Sequence, residues 1–172
     1  MGVKGNAILG LITLVAFISC GLMAQAQESQ VDYDGFVDLS AEIADARAAR
    51  LVDLDTFNAM KADADTIILD TRSAEAFRMG HIDGAVHLNF SDFTQDKLAK
   101  VIPSRDTRIL IYCNNNFTDN VAPVPVKRIE LALNIPTFIN LHGYGYENIY
   151  ELDGAYSLTD PAIHWISAAA PL

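Results

Sequence analysis

The sequence predicts an α/β domain built on a largely parallel sheet. Two patterns predict it. Short runs rich in aliphatic and aromatic residues, Thr66–Asp70, Arg108–Tyr112 and Asn148–Leu152, have the length and composition of buried strands. Between them lie amphipathic stretches that open on helix-capping residues, and strands alternating with helices give parallel sheets.

Taken in order, residues 27–38, with Tyr33-Asp34-Gly35, read as an irregular lead-in. Ser40 is placed to cap a helix running to about Arg50, with Glu42 in its first turn. Asp53 or Asp55 caps a shorter helix through Met60. Thr66–Asp70 is a strand ending in a carboxylate, and Ser73 begins a helical turn holding Glu75, Ala76 and Phe77. His81–Ala85 reads as a turn and Val86–Leu88 as a brief strand. Phe93–Val101 is expected to be helical, followed by the strand Arg108–Tyr112. Pro136–His142 is a short helix and Asn148–Leu152 the last strand. Neither an internal repeat nor a low-complexity segment interrupts this order.

The first 26 residues are expected to be a signal peptide rather than part of the fold. Lys4 is the only charge before Glu28, and Ala7 to Met23 is almost wholly apolar. Ala24-Gln25-Ala26 then supplies the small residues that a signal peptidase accepts, with cleavage after Ala26. Two alternatives stay open. Phe17-Ile18-Ser19-Cys20 loosely resembles a lipoprotein box with Cys20 lipidated. The apolar stretch also nearly reaches the ~18 residues of a membrane anchor. Each alternative places the remainder outside the cytoplasm, with the periplasm expected, and a membrane contact only if Cys20 is lipidated or the leader is retained.

The chain beyond the leader is long enough for one domain with a core. The whole sequence carries a formal net charge of −10, and loss of Lys4 makes it one unit more acidic. An acidic domain lacks the basic face that phosphate backbones require, which argues against nucleic-acid binding. The chain has two cysteines. Cys20 leaves with the leader or is lipidated, so Cys113 has no intramolecular partner and is a free thiol in an oxidising compartment.

Cys113 comes directly after Ile109-Leu110-Ile111-Tyr112 and precedes Asn114-Asn115-Asn116. The asparagines favour a turn, so the strand stops there and the thiol stands at its carboxyl end. Open α/β sheets place their sites at that end of the strands. Such a thiol is a candidate nucleophile if the loop turns its amides toward the sulfur. The bland reading is a buried cysteine that only fills space.

The stretch Asp70-Thr71-Arg72-Ser73-Ala74-Glu75-Ala76-Phe77-Arg78-Met79-Gly80-His81-Ile82-Asp83-Gly84-Ala85-Val86-His87-Leu88-Asn89 resembles the first signature of the rhodanese-like family. Ile109 to Cys113 is similar to the strand that presents that family's catalytic cysteine. Gly145 to Tyr156 is similar to its last strand and the glycine turn after it. The resemblance runs from about Leu51 to Trp165. It implies a central, mostly parallel five-stranded sheet flanked by helices. It divides the chain into a leader over 1–26, an N-terminal extension with a helix over 27–50, the domain over 51–167, and a tail over 168–172.

The resemblance also implies sulfur chemistry. Cys113 would take a sulfane sulfur from a small donor, hold it as a persulfide, and pass it to a thiol or cyanide-like acceptor. The main chains of Asn114, Asn115, Asn116, Phe117 and Thr118 would cradle the sulfur. Attack needs a thiolate, and a free cysteine is only a few per cent ionised near neutrality. Amides facing the sulfur and a nearby helix N-terminus lower that barrier. No cofactor is implied.

The departures from the family pattern surround the cysteine. Family loops hold about six residues, often with arginine or glycine, and run straight into a helix. Here residues from about 116 to 135 look like an insertion, and no basic residue directly follows Cys113. Lys127 and Arg128 are the first cations and would meet an anionic donor if the insertion folds back. Pro123 and Pro125 argue against a continuous helix there. The insertion reads as a lid, a surface for a protein partner, or simply a longer loop. A related phosphatase chemistry requires an arginine six positions past the cysteine, and Asp119 stands there instead, where it would repel an oxyanion.

Other residues take structural readings first. Asp70 and Arg72 are expected to brace the cysteine loop through an ion pair or hydrogen bonds, with direct service to the substrate as the alternative, and Glu75 to cap or pair at its helix start. His81 reads as a structural hydrogen-bonding residue. His81, His87, His142 and His164 lack ligand spacing and no cysteine pair accompanies them, which argues against a metal site. Tyr144, Tyr146, Tyr150 and Tyr156 are expected to pack around the last strand. Asn116-Phe117-Thr118 matches a glycosylation sequon only formally, since the leader is of bacterial type. The primary expectation is an exported sulfurtransferase using Cys113. The alternative is a catalytically weak binding or redox-sensing module whose interface is the insertion. A thiol held at or above its ordinary range would favour that alternative.

Overall fold

A computed structural model describes residues 1–2 and 29–167. The expected leader, including Cys20, and the tail 168–172 therefore fall outside the described residues, apart from Met1 and Gly2. The chain divides into two units, Met1–Asp32 and Tyr33–Leu172. In the first, Val31 N donates to Ser29 Oγ at 3.1 Å. Among the described residues the second carries every regular element, and no helix there is long and apolar enough to cross a membrane.

Five strands form one parallel sheet: β1 (Leu51–Val52), β2 (Thr66–Asp70), β4 (Ala85–His87), β5 (Arg108–Tyr112) and β6 (Ile149–Leu152). Their order across the sheet is β1-β6-β5-β2-β4. β5 lies at the centre, with Ile111 in register with Leu69 on one side and Glu151 on the other. Its side chains alternate between two cores. Ile109 and Ile111 join Leu98, Ile102, Phe138, Leu141 and Ile149 on one face. Leu110 and Tyr112 join Leu54, Phe57, Ile82, Phe117 and Ile163 on the other. A strand covered on both faces reads as an unbroken apolar run, which is why β5 stands out in the sequence.

The helices are α1 (Tyr33–Glu42), α2 (Ala44–Ala48), α3 (Leu54–Lys61), α4 (Ala74–Met79), α5 (Gln95–Val101) and α6 (Asn134–Gly143). Asp53, not Asp55, caps α3 by accepting from Thr56 N at 2.9 Å. Ser73 caps α4, and Thr94 caps α5, which begins two residues later than the expected start at Phe93. α6 begins two residues before Pro136, which sits in its first turn, where the missing N–H costs no hydrogen bond.

Two expectations fail at the N-terminal extension. Residues 33–38 are helical rather than irregular. Phe36, Leu39 and Ile43 recur at helical spacing; Ile43 is buried in the α6-side core and Leu39 packs against it. Ser40 is not a cap. It lies inside α1, with its Oγ donating to the Phe36 carbonyl at 2.7 Å, the back-bonding that serine adopts within a helix.

The expected turn His81–Ala85 is also corrected. Gly80–Ile82 form β3, which pairs antiparallel with β7 (Trp165–Ser167), and only Asp83-Gly84 turn. Gly84 has φ of 83°, a conformation glycine enters freely. Gly80 serves a different purpose: a Cβ there would sit 2.5 Å from Trp165 Nε1. Gly80→Ala is therefore expected to destabilise the domain by about 1–3 kcal/mol through overpacking. A denaturant midpoint equal to that of the parent would show that Trp165 yields freely.

Candidate active site

β5 delivers Cys113 to the carboxyl edge of the sheet, where Asn114–Asn116 form a 3-10 turn. The thiol is only 1% exposed. Its sulfur meets the backbone amides of Asn115, Leu133 and Asn134. The last two belong to the start of α6, so the sulfur stands at a helix N-terminus, where unpaired amides and the helix dipole favour negative charge. Burial pushes the Cys113 thiol up. The amides of Asn134, Asn115 and Leu133 pull it down, and the Glu151 charge adds to the rise; the net direction is upward.

The cradle is therefore not the five consecutive main chains expected. Asn115 contributes, and the Asn116 N–H faces the Cys113 side chain while also donating to Cys113 O at 3.0 Å, but Phe117 N donates to Asn114 O at 3.2 Å. Thr118 N is committed to the Tyr156 carbonyl at 2.9 Å. Phe117 is buried edge-on against Tyr112 and Trp165. Chain leaving the cysteine loop is thus pinned to the C-terminal segment, and the missing amides arrive only after the insertion returns.

Three side chains tie the loop down. Asn116 Oδ1 accepts from Cys113 N at 2.9 Å, while its Nδ2 donates to the carbonyls of Leu152 and Gly154 at 2.8 and 2.9 Å. A side chain so engaged is not available to a glycan. Asn114 Nδ2 donates to Pro125 O at 2.8 Å, and Asn115 Nδ2 to Lys127 O at 2.7 Å. The asparagines thus clamp the insertion over the loop.

Asp70 and Arg72 form a buried ion pair behind that loop. Arg72, 2% exposed, donates Nε to both Asp70 oxygens at 3.0 Å and Nη2 to Oδ2 at 2.6 Å. Nη2 also reaches Gly80 O at 2.7 Å, and Nη1 reaches Asn114 Oδ1 at 3.2 Å. Burial opposes the Arg72 charge, but Asp70 outweighs it and keeps the guanidinium firmly protonated. Tyr112 donates its hydroxyl to Asp70 and accepts from Ile82 N at 3.2 Å. Burial and then the Asp70 charge push that phenol well up, so it stays a neutral donor. Glu75 lies exposed in the first turn of α4. His81 bonds the Phe77 carbonyl through Nδ1 at 2.9 Å and stacks on that ring at 3.9 Å.

A cavity of about 270 Å³ adjoins the cysteine loop. Asn114, Asn115 and Leu133 line it on the cysteine side, with Thr71, Phe90 and, from the insertion, Lys127 completing the wall. The insertion does fold back, and it divides the two expected cations. Lys127 faces the cavity, whereas Arg128 is exposed and pairs with Glu130 at 3.5 Å. Asp119 turns toward Leu158 N at 2.8 Å and Ser157 Oγ at 2.7 Å, which hold its carboxyl below the usual range.

Sequence reasoning missed Leu133, Asn134 and Glu151. For Glu151 a signal existed: it is a charge at an i+2 position from the buried Ile149, on a strand face that should be apolar. Leu133 and Asn134 had none, because an insertion's path is not written in its composition.

The chain is 30% identical over 98 residues to a tRNA uridine(34) hydroxylase of Bdellovibrio bacteriovorus, across 55% of this chain and 23% of that protein. It thus spans about a quarter of the length of the curated relative it matches. A thiosulfate sulfurtransferase structure from Pseudomonas aeruginosa aligns at 18% identity and a TM-score of 0.47, covering 70% of this chain and 20% of that one. A single-domain sulfurtransferase of Saccharomyces cerevisiae aligns at 12% identity and a TM-score of 0.42, covering 62% and 84%. The rhodanese-like domain model matches residues 53–158, more than half of the chain, and the protein belongs to the rhodanese-like domain family.

Proposed function

We propose that the protein is a sulfurtransferase in which Cys113 carries a sulfane sulfur as a persulfide. The thiolate attacks the outer sulfur of a donor R–S–S⁻, a Cys113 S–S bond forms, the donor S–S bond breaks, and R–S⁻ leaves with the electron pair. A nucleophilic acceptor then takes the outer sulfur and returns the Cys113 thiolate. Oxidation states balance without an added oxidant. The observation that carries this reading is the convergence of the Asn115, Leu133 and Asn134 amides on one sulfur at a helix N-terminus. The same amides serve thiolate and persulfide anion alike.

The cavity bears on the donor. Among its lining residues Lys127 is the one cation not neutralised by a buried carboxylate, since Arg72 is spent on Asp70. A dianion such as thiosulfate gains one lysine and loses much hydration. A neutral or singly charged organic persulfide or polysulfide fits the remaining neutral wall better. Export through the leader belongs to the same proposal.

The second reading, a binding or redox-sensing module, draws on two observations. Burial pushes the thiol up, and the returned insertion exposes Val121, Val126, Ile129 and Leu131 to solvent, a surface a protein partner would cover.

The test is mass spectrometry of the Cys113 peptide after incubation with an organic persulfide, mercaptopyruvate or thiosulfate. A cyanide-labile gain of about 32 Da, the mass of one sulfur, is expected with the organic persulfide at the lowest donor concentration. No cyanide-labile adduct from any donor overturns the enzyme reading. Loading by thiosulfate at equal or lower concentration overturns the donor assignment alone.

A further inference from the structure

Beneath the cysteine lies a buried charge with no part in the sulfur-transfer steps above. Glu151 on β6 is in register with Ile111 of β5, two residues before Cys113. Side chains two apart on a strand share a face, so Glu151 and Cys113 lie on the side covered by α6. Glu151 is 6% exposed, and a carboxylate that deep needs a partner. Arg47 supplies it, with Nη2 2.7 Å from each carboxylate oxygen. Arg47 comes from α2, in the N-terminal extension, outside the residues the family model matches.

The pair is wired to the cysteine. The Asn134 side chain faces the Glu151 carboxylate, and Asn134 Nδ2 donates to Asn116 Oδ1 at 3.0 Å. The same oxygen accepts from Cys113 N. Asn134, Asn116 and Glu151 are buried, so the chain of groups from Glu151 to the Cys113 backbone is sheltered from water, while Arg47 is partly exposed. The groups facing this cluster are Arg47 from α2, Asn134 from α6, Cys113 at the end of β5, and Asp153 just past β6.

We infer that Arg47 and Glu151 are positioning residues for Cys113, holding its loop through Asn134 and Asn116 and setting the charge beneath its sulfur. This rests on Cys113 being the reacting thiol. Paired, Arg47 offsets part of the Glu151 charge, and what remains of it still opposes the thiolate. Glu151 alone opposes the thiolate, and Arg47 alone favours it. Burial pushes the Glu151 carboxyl up, Arg47 and then Asn134 pull it back, and Asp153 adds to the rise.

The experiment is the pH profile of iodoacetamide alkylation, followed on the Cys113 peptide of the full chain. Alkylation needs no sulfur donor, so its outcome is independent of whether sulfur transfer occurs. Glu151→Gln is expected to move the profile to lower pH and raise the rate at neutral pH about tenfold. Arg47→Met is expected to move it the opposite way by a similar factor, and the double variant to return near the parent. Arg47→Lys keeps the charge and should keep the parent profile, which a purely structural arginine would not predict. Folded variants whose profiles stay in place, or move in the same direction, overturn the inference. If Arg47→Met does not fold, Glu151→Gln and Arg47→Lys decide, and an unmoved Glu151→Gln profile overturns it.

Discussion

Cys113→Ser is expected to abolish sulfur loading while leaving the domain folded. A hydroxyl is close to a thiol in shape and still accepts from the Asn115, Leu133 and Asn134 amides, so no buried donor is orphaned. Serine oxygen neither ionises usefully nor holds a sulfane sulfur, and removal of a covalent nucleophile costs transfer at least ~10³-fold. The stability change should stay within about 1 kcal/mol, because no cavity opens and no cross-link is lost. Transfer from an organic persulfide and the denaturant midpoint, measured on the same preparation, check both halves. Residual transfer within tenfold of the parent would place the chemistry elsewhere.

Arg72→Met is expected to be the most damaging substitution for stability. Arg72 is the hub that joins the end of β2, the Gly80 carbonyl and Asn114 of the cysteine loop. Methionine leaves the Asp70 carboxyl buried without its cation, facing only the Tyr112 hydroxyl and the backbone N–H of residue 72. Breaking a buried pair by removing one partner costs about 3–5 kcal/mol, a large share of the roughly 5–15 kcal/mol that holds a domain together. Asp70→Asn combined with Arg72→Met should recover part of that loss, since the stranded charge is gone. Urea unfolding of the single and double variants tests this. A single-variant loss below about 1 kcal/mol, the range of an exposed pair, would contradict the burial argument.

These two outcomes separate the chemistry of the site from its scaffold, and the sequence was legible to different depths for each. Strands β2 and β5 follow from their apolar runs to the residue, because a strand buried on both faces is an unbroken apolar stretch that the polar Thr66, Asp70 and Arg108 bound. The place of Cys113 follows with them, since three asparagines cannot prolong such a strand. Asp70 and Arg72 were readable as a pair because they are two residues apart. The short strands were not: β1 and β7 have two and three residues, too few for a period to register. The helix α1 was hidden because its residues are mostly exposed and its seam, Phe36, Leu39 and Ile43, makes sense only against a core built from distant segments.

The composition of the extension gave no hint that it reaches the residues around Cys113. Arg47 lies 104 residues from Glu151 in the chain, and nothing in its local sequence points to that partner. The insertion was visible as a departure in spacing, yet its return path is decided by asparagine side chains clamping the carbonyls of Pro125 and Lys127. That return brings the amides of Leu133 and Asn134 to the sulfur and separates Lys127 from Arg128.

The sequence by itself thus determined the α/β class, the central strands, the family and the position of the thiol, all of which are encoded in local periodicity and contiguous motif. Tertiary structure alone decided which amides face the sulfur, which cation faces the cavity and which charges lie beneath the site. The physical reason is that these depend on how long loops close, where a single hydrogen bond between distant residues outweighs any local preference.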